Sequence, residues 1–385
     1  MLRAAPVRMM LRSRNVNNSN INITNNKQLA SQKRGAKKHL EETATNSMEP
    51  KPKRQALCDL SQGIKNFAID SAKKVVDLKR NKRSDSDSLP SIKENVPVQE
   101  EVDPCPQVDF DKEVAADAHA VSEFAADIFK YYKSREQSFT VTDYMKTQTK
   151  INKYNRASLV DWMVEIQETF ELNHETLYLG VKLIDLYLSK ETATCEQLQL
   201  IACGALLIAS KFDERSPPLL DDFVYMAEDT FKREQLIKIE MKMLDAIGFD
   251  LGAPLSYSYL RRYSRVIHGD METLTLSRYI LETLQLFYEF VTVSDSKLAA
   301  ASFLLALKMK KNGDGWSPVL YKYSGYQEKD LLPLLNQINH AMHCRASGQY
   351  NKLGTVFSKY SHEVFYHSAT VPLLPDVLNA TTVPL

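Results

Sequence analysis

Apolar residues recur with the spacing of an amphipathic helix through residues 118–346. One such stripe consists of Leu159, Trp162, Met163, Ile166 and Phe170. Further stripes run through 177–188, 198–212, 223–226 and 236–247. No segment alternates between apolar and polar residues for the length of a strand. Because a helix repeats about every 3.6 residues and a strand every two, the pattern predicts an all-α fold.

Part of this pattern occurs twice. The segment CGALLIASKF at 203–212 resembles AASFLLALKM at 300–309. The segment TFKREQLI at 230–237 resembles GYQEKDLL at 325–332, in the same order along the chain. A repeat of about 95 residues has the size of a compact helical domain. The sequence therefore predicts two tandem five-helix domains, at 154–250 and 254–346.

Around these repeats we predict an N-terminal helix with a connector at 118–153 and a C-terminal tail at 347–385. The Ala-rich third helix of each repeat is predicted to lie at its centre, because small residues let neighbouring helices approach closely. Gly204 lies on the first of these helices. A helical glycine costs about 1 kcal/mol relative to alanine, which close packing can offset.

Residues 1–115 differ in composition, being polar and rich in Asn, Ser and Lys. The first 84 residues hold 19 Lys and Arg against 6 Asp and Glu. Such a stretch buries too little apolar area to offset its ordering entropy, so we predict a long disordered arm. Its repeated basic clusters favour nuclear localisation. The alternative is a mitochondrial presequence, since four arginines lie within the first 14 residues and no acidic residue precedes Glu41.

Sequence motifs of common enzymes are missing from the chain. It contains no G-x-x-x-x-G-K-[ST], H-R-D, D-F-G, H-E-x-x-H or G-x-S-x-G segment. The five cysteines form no C-x-x-C pair, and no second ligand cluster accompanies His340, His343 and Cys344. No uninterrupted apolar run reaches the ~18 residues of a membrane helix. We therefore expect a binding scaffold without metal, cofactor or membrane partner.

One apolar run ends unusually. In IACGALLIASKFDERSPP, at 201–218, small and apolar residues give way to Lys211 and Phe212, then to two acids and two prolines. Three segments together resemble the cyclin box: this one, NRASLVDWMVEIQETFELNHETLYLGVKLIDLYL at 155–188 and YMAEDTFKREQLIKIEMKML at 225–244. The resemblance is to B-type mitotic cyclins, and QETFELNHETLYL resembles the third animal B subclass. It implies a regulatory subunit, not itself an enzyme, that activates a cyclin-dependent protein kinase at the G2/M transition.

The resemblance assigns roles to particular residues. The family's kinase-contacting lysine and glutamate fall on Lys211 and Glu240, and its apolar contacts fall on Phe212, Leu244, Phe249 and Leu251. An ion pair between the first two helices of the box falls on Arg156 and Asp185. A B-type phosphate-binding pocket falls on Arg261 and Arg278, with Leu274 where a histidine is expected; the alternative is a solvated basic face.

The substrate-docking patch departs from the family pattern. Many cyclins begin the first helix with M-R-A-I-L and bind Arg-x-Leu motifs there, whereas this chain has Asn155 and Ser158 in place of the methionine and isoleucine. The remaining patch positions still match: Leu159, Trp162, Glu165 and Gln199. Since a buried aliphatic side chain contributes about 1.5–3 kcal/mol, the resemblance implies weakened docking.

The arm carries two short segments that resemble degradation signals. RQALCDL at 54–60 resembles the destruction box, with Arg54 and Leu57 as anchors, and Lys93, Glu94 and Asn95 form a KEN motif. They imply a ubiquitin ligase of the anaphase-promoting type as a partner. The alternative for RQALCDL is a short amphipathic helix.

A second function class uses a similar fold. General transcription factors place a two-repeat helical core on DNA, but they carry a zinc ribbon with paired cysteines and a strongly basic core. This chain has no paired cysteines and a net charge of +1. We therefore expect no nucleic-acid partner.

Overall fold

The computed structural model describes residues 104–310, 315–346 and 348–378. Over these ranges the chain is helical and contains no β-strand, which confirms the predicted fold class. The helices are α1 (Phe110–Glu113), α2 (Ser122–Arg135), α3 (Lys153–Thr169), α4 (His174–Leu188), α5 (Leu198–Asp213), α6 (Leu220–Met226), α7 (Arg233–Ile247), α8 (Ser256–Val266), α9 (Met271–Leu284), α10 (Asp295–Lys310), α11 (Pro318–Ser324), α12 (Glu328–Arg345) and α13 (Thr355–Tyr360).

Helices α3 to α7 form the first repeat and α8 to α12 the second. Each repeat has five helices, which span 153–247 and 256–345. Helix α3 begins at a reciprocal capping box in which the side chains of Asn152 and Asn155 each accept from the other's backbone N–H, at 2.9 and 3.0 Å. This cap satisfies two of the backbone donors that a helix start leaves open.

The third helix of each repeat is its centre. Helix α5 is buried from Ile201 to Ser210, and α10 is buried from Ala299 to Leu307. Gly204 shows why small residues are needed, since a Cβ there would lie 2.9 Å from Cγ2 of Ile239 on α7. A larger residue would push α5 and α7 apart, so the packing gained offsets the cost of a helical glycine.

The predicted disordered arm was too long at its C-terminal end. Residues 1–103 lie outside the described part of the chain, but residues 104–115 pack against the second repeat. Phe110 is buried, and its N–H donates to the hydroxyl of Tyr323 at 2.8 Å. Asp111 accepts two hydrogen bonds from Arg262, each of 2.6 Å. These long-range contacts hold α1 on α8, which the polar composition of the segment did not indicate.

The segment after 346 is not a separate tail, and that prediction was wrong for its described part. Helix α13 packs on α3 of the first repeat and on α9 of the second. Buried Lys359 donates to Gln167 on α3 at 2.8 Å and to Glu282 on α9 at 2.6 Å. The hydroxyl of Tyr360 donates to the other Glu282 oxygen at 2.8 Å. Residues 353–360 therefore complete the core between the two repeats.

Glu282 is ionised in this buried position. Burial alone would raise its pKa, but the charge of Lys359 and the nearby ring of His174 outweigh burial and hold the pKa at about 2. A fully buried carboxylate persists only when it is paired and hydrogen-bonded. Lys359 is thus a necessary part of the interface between the repeats.

A second buried ion pair joins α3 to α4. Arg156 donates to both oxygens of Asp185, at 2.7 and 2.6 Å, and also to the carbonyl of Gln285 in the second repeat at 2.6 Å. The hydroxyl of Tyr144, in the connector, donates to Asp185 at 2.7 Å. Arg156 therefore links the first repeat, the second repeat and the connector at one point, within the ranges that the structure describes.

Replacing Arg156 by alanine is expected to destabilise the fold strongly. The change would leave the buried carboxylate of Asp185 without its cation, at a cost of about 3–5 kcal/mol. Urea unfolding followed by circular dichroism measures the loss. Lys153→Ala is the control, since Lys153 forms an exposed ion pair with Glu289 and its removal should change little. An Arg156→Ala variant that unfolds at the wild-type urea concentration would contradict this account.

Candidate functional site

Two charged residues from different helices meet at one edge of the first repeat. Lys211 lies in the last turn of α5, and Glu240 lies midway along α7. The ammonium of Lys211 and one carboxylate oxygen of Glu240 are 2.5 Å apart. The side chain of Lys211 is 48% exposed and that of Glu240 is 13% exposed. The pair therefore lies at the surface, on helices whose backbones are held by the core.

Large apolar side chains are exposed at the end of α5, on α7 and in the turn after α7. Phe212, next to Lys211, is 58% exposed, and Phe249 is 60% exposed. Leu244 and Leu251 are half-buried and pack against the core from its rim. The sequence predicted all four as apolar kinase contacts, and the structure leaves each of them at least partly open to solvent.

The turn after α7 turns Phe249 outward. Gly248 and Phe249 have successive positive φ angles of 77° and 59°. Glycine adopts this left-handed conformation readily, whereas a bulky residue does so at a cost of about 1–2 kcal/mol. Strain of this kind at an exposed aromatic residue is typical of binding sites. We interpret Phe249 as a residue positioned for contact with another molecule.

Sequence reasoning missed two residues of this surface. Ile237 and Met241 are exposed, although they lie on a helix with an apolar face of its own. That buried face consists of Leu236, Ile239 and Met243. Helical spacing places Ile237, Met241 and Leu244 on one further stripe with Glu240. The sequence did contain a signal for these two residues, because α7 has more apolar residues than a single core-facing stripe requires.

We call the set of Lys211, Phe212, Ile237, Glu240, Met241, Leu244, Phe249 and Leu251 the apolar rim surface. Its charged pair offers a cation and a carboxylate, which can bind the open carbonyl and N–H groups at the end of a partner's helix. Its exposed aromatic and aliphatic groups provide the anchors that dominate protein–protein affinity. Contiguous exposed apolar side chains on a globular surface mark an interaction site.

The first residue of the loop that follows α5 is hydrogen-bonded to the start of α4. The carboxylate of Glu214 accepts from the N–H of Asn173 at 2.6 Å and from the hydroxyl of Thr176 at 2.6 Å. Burial first, and then the charge of Glu175, raise the pKa of neighbouring Asp213. The loop therefore begins at a crowded acidic corner beside Phe212, and its anchoring keeps the end of α5 in place.

The residues predicted as a docking patch lie on α3, apart from Gln199 at the start of α5. Leu159 is buried, Trp162, Ser158 and Gln199 are half-buried, and Glu165 is exposed. Asn155 replaces the expected methionine and serves in the capping box of α3. Its side chain is therefore used by the helix start, which gives a structural reason for the departure from the family pattern.

The two arginines predicted to bind phosphate lie near one aromatic ring. Arg261 is centred 5.8 Å from the ring of Tyr257 and pairs with Glu175 at 2.9 Å. Arg278 lies over the ring of Tyr360 at 5.6 Å. Burial lowers the pKa of Arg278, but the interactions with Tyr360 and then Tyr257 outweigh burial and raise it. Its Nε is buried and has no hydrogen-bond partner within the described residues. Arg262 and Arg265, on the same helix as Arg261, are paired with acids.

The remaining sequence candidates are either outside the described chain or not assembled as sites. Arg54, Leu57, Lys93, Glu94 and Asn95 lie outside the described residues. Cys344 and His340 are 3.4 Å apart, but no group of three side chains suited to a metal ion occurs in the described ranges. Helix Cys195–Asp213 is long and apolar enough to span a membrane by composition, yet most of it is buried in the first repeat.

Two models of known protein families match this chain. The cyclin N-terminal domain matches residues 127–252, and the cyclin C-terminal domain matches residues 254–374. The boundary between them falls between the two five-helix repeats. The second match extends past 346 and includes α13, in agreement with the packing of that helix into the core.

Known proteins and solved structures resemble the chain over most of this length. A G2/mitotic-specific cyclin-B3 of Caenorhabditis elegans is 44% identical over 377 residues, 96% of each chain. One of Gallus gallus is 42% identical over 347 residues, 83% of this chain and 85% of its own. A viral cyclin from herpesvirus saimiri shares the fold with a TM-score of 0.51 at 22% identity, over 60% of this chain and 99% of its own. The protein therefore belongs to the cyclin family, with B3-type mitotic cyclins among its relatives.

Proposed function

We propose that this chain is the activating regulatory subunit of a cyclin-dependent serine/threonine kinase that drives the G2/M transition and mitosis. The observation that carries the proposal is the apolar rim surface, in which Lys211 and Glu240 are paired and surrounded by exposed apolar groups. The names of the relatives, which are G2/mitotic-specific cyclins, support the stage of the cell cycle.

Activation follows from selective binding. A protein kinase is active only when its catalytic lysine–glutamate pair is assembled and its activation loop is ordered. A rigid surface that binds the assembled form and not the other shifts the population toward it. Moving the ratio of the two forms from 1:99 to 99:1 takes about 5.5 kcal/mol of differential binding. An interface with several buried anchors supplies energies of this size.

The surface is suited to this task because it is preorganised. Lys211 and Glu240 belong to α5 and α7, which touch closely at Gly204. The partner therefore does not have to order these side chains, and little binding energy is lost to conformational entropy. The attraction between the two charges also holds both head groups at the surface in the free protein.

Removing the charged pair is expected to abolish kinase activation while the fold is kept. In Lys211→Ala with Glu240→Ala, two polar anchors of the partner helix are lost, and affinity for a cyclin-dependent kinase should fall at least about thirtyfold, or ~2 kcal/mol. Titration calorimetry measures the affinity, and phosphate transfer to a peptide measures activation. Circular dichroism checks that this double variant remains folded.

The chain offers a matched control pair. Lys242 on α7 and Glu191 are 2.6 Å apart and form an exposed Lys–Glu pair. Helix geometry places Lys242 about 200° around α7 from Glu240, away from the apolar rim surface. Lys242→Ala with Glu191→Ala should bind and activate like wild type. Full activation by the Lys211 and Glu240 double variant would refute the proposed function.

The docking patch supports a further proposal about substrates, namely that Arg-x-Leu motifs bind weakly. Asn155 and Ser158 offer polar atoms where the family pattern has two aliphatic groups. Asn155→Met with Ser158→Ile should strengthen binding of an Arg-x-Leu peptide at least about tenfold, because each restored aliphatic side chain contributes about 1.5–3 kcal/mol. Fluorescence anisotropy with a labelled peptide measures this. Tight binding of the peptide to the unmodified chain would contradict the proposal.

Ubiquitin-mediated destruction and nuclear localisation are proposed from the arm alone. The segment holding Arg54, Leu57 and the KEN motif precedes the helical part, as an accessible signal requires. Alanine at Arg54, Leu57, Lys93, Glu94 and Asn95 should prolong the lifetime of the chain several-fold in extracts with active anaphase-promoting ligase. Destruction at the wild-type rate would show that the signals lie elsewhere. The basic clusters of the arm support nuclear import.

A phosphate-binding role for Arg261 and Arg278 stays a prediction. The proximity of both to Tyr257 and the unpaired Nε of Arg278 support it. The ion pair between Arg261 and Glu175 supports the alternative of a solvated basic face.

A further inference from the structure

The loop from Glu214 to Leu219, between α5 and α6, carries a serine that the proposed function does not use. Ser216 is exposed and directly precedes Pro217 and Pro218. A residue before proline is biased away from the helical conformation. Arg215 and Ser216 form a bend, and residues 217–219 have no regular secondary structure. Ser216 is thus presented on an exposed, non-helical loop.

Proline after the acceptor serine is what proline-directed protein kinases select. The sequence contains two Ser-Pro dipeptides and no Thr-Pro dipeptide. The second, Ser317–Pro318, begins helix α11, and the Ser317 hydroxyl accepts from the N–H of Leu320 at 3.3 Å. That hydroxyl is part of a helix cap, whereas Ser216 lies in a loop between two helices. The two serines therefore share a recognition motif and differ in structural role.

Ser216 is close along the chain to the apolar rim surface. It follows Phe212 by four residues, and exposed Leu219 lies three residues beyond it. The attachment of Glu214 to Asn173 and Thr176 holds the start of the loop at the end of α5. A group added to Ser216 would therefore project at the margin of the surface on which the kinase is proposed to bind.

We propose that Ser216 is a phosphorylation site for a proline-directed protein kinase, and that a phosphate there blocks binding of the cyclin-dependent kinase. The second half of this inference rests on the proposed function. Phosphorylation transfers the γ-phosphoryl group of ATP to the Ser216 oxygen, with release of ADP and a proton, and adds about −1.5 to −2 charges at neutral pH.

Three features make this charge disruptive. Asp213 and Glu214 already crowd the corner with carboxylates, so a further anion is repelled. Phe212 and Leu219 flank the site with apolar surface, and burying a phosphate among apolar groups under a partner is costly. The cation of the apolar rim surface is Lys211, for which a phosphate would compete with Glu240.

The same geometry determines when the reaction can occur. In a complex formed on the apolar rim surface, the partner would cover the loop. Ser216 should therefore be phosphorylated in the free chain and protected in the complex. The modification would act as a block on assembly, applied before the two subunits meet.

The first experiment measures phosphate incorporation. The full chain is incubated with ATP and a purified proline-directed kinase of the mitogen-activated class, and modified serines are mapped by mass spectrometry. Phosphate is expected at Ser216 in wild type and in the control Ser317→Ala, and is expected to be lost in Ser216→Ala. Prior addition of a cyclin-dependent kinase catalytic subunit should reduce incorporation at Ser216 at least about tenfold. Absence of phosphate at Ser216 in the free chain would overturn the inference.

The second experiment measures affinity. Phosphorylated wild type should bind the same catalytic subunit at least about tenfold more weakly than unphosphorylated wild type. Ser216→Ala treated in the same way should keep full affinity. An affinity within about twofold after phosphorylation at Ser216 would overturn the inference and leave the proposed function standing. If the unphosphorylated chain failed to bind the catalytic subunit, the proposed function would be refuted. The mass-spectrometric result for phosphate at Ser216 would still stand or fall by itself.

Discussion

The close approach of α5 and α7 determines the geometry of the apolar rim surface. Gly204 leaves no space for a side chain against Ile239, so the two helices approach closely at this point. Glu240 follows Ile239 directly on α7, Lys211 lies seven residues after Gly204 on α5, and their side chains meet at 2.5 Å. A binding surface built on a close-packed interior deforms little, because such an interior has few voids into which it can relax.

Buried charges then connect this rigid repeat to the rest of the chain. Arg156 reaches Asp185 within the first repeat and the carbonyl of Gln285 in the second. Lys359 does the same from the C-terminal segment, through Gln167 and Glu282. Buried pairs of this kind add little net stability compared with apolar packing, but they tolerate few alternative arrangements. Their effect is to select one orientation of the two repeats.

The sequence was sufficient for the architecture because helical periodicity and the internal repeat are local signals. The pairing of Lys211 with Glu240 was accessible only through family resemblance, since nothing in the spacing of two residues on different helices indicates that they meet. The packing of Phe110 and Lys359 was not predicted, because Phe110 lies in a polar segment and the partners of both residues are more than 70 residues away. Exposed Ile237 and Met241 were not singled out from the sequence, since the apolar pattern does not distinguish a core-facing stripe from a binding stripe.

The link between Lys359 and Gln167 has a consequence for biosynthesis. The two residues are 192 positions apart, and the cation that neutralises Glu282 is synthesised after both repeats. Contacts of such long sequence separation form late and slowly. During translation the interface between the repeats holds a carboxylate that has no counter-charge yet. A chain that ends before Lys359 would therefore keep a buried carboxylate without its counter-charge and would lack this link between the two repeats.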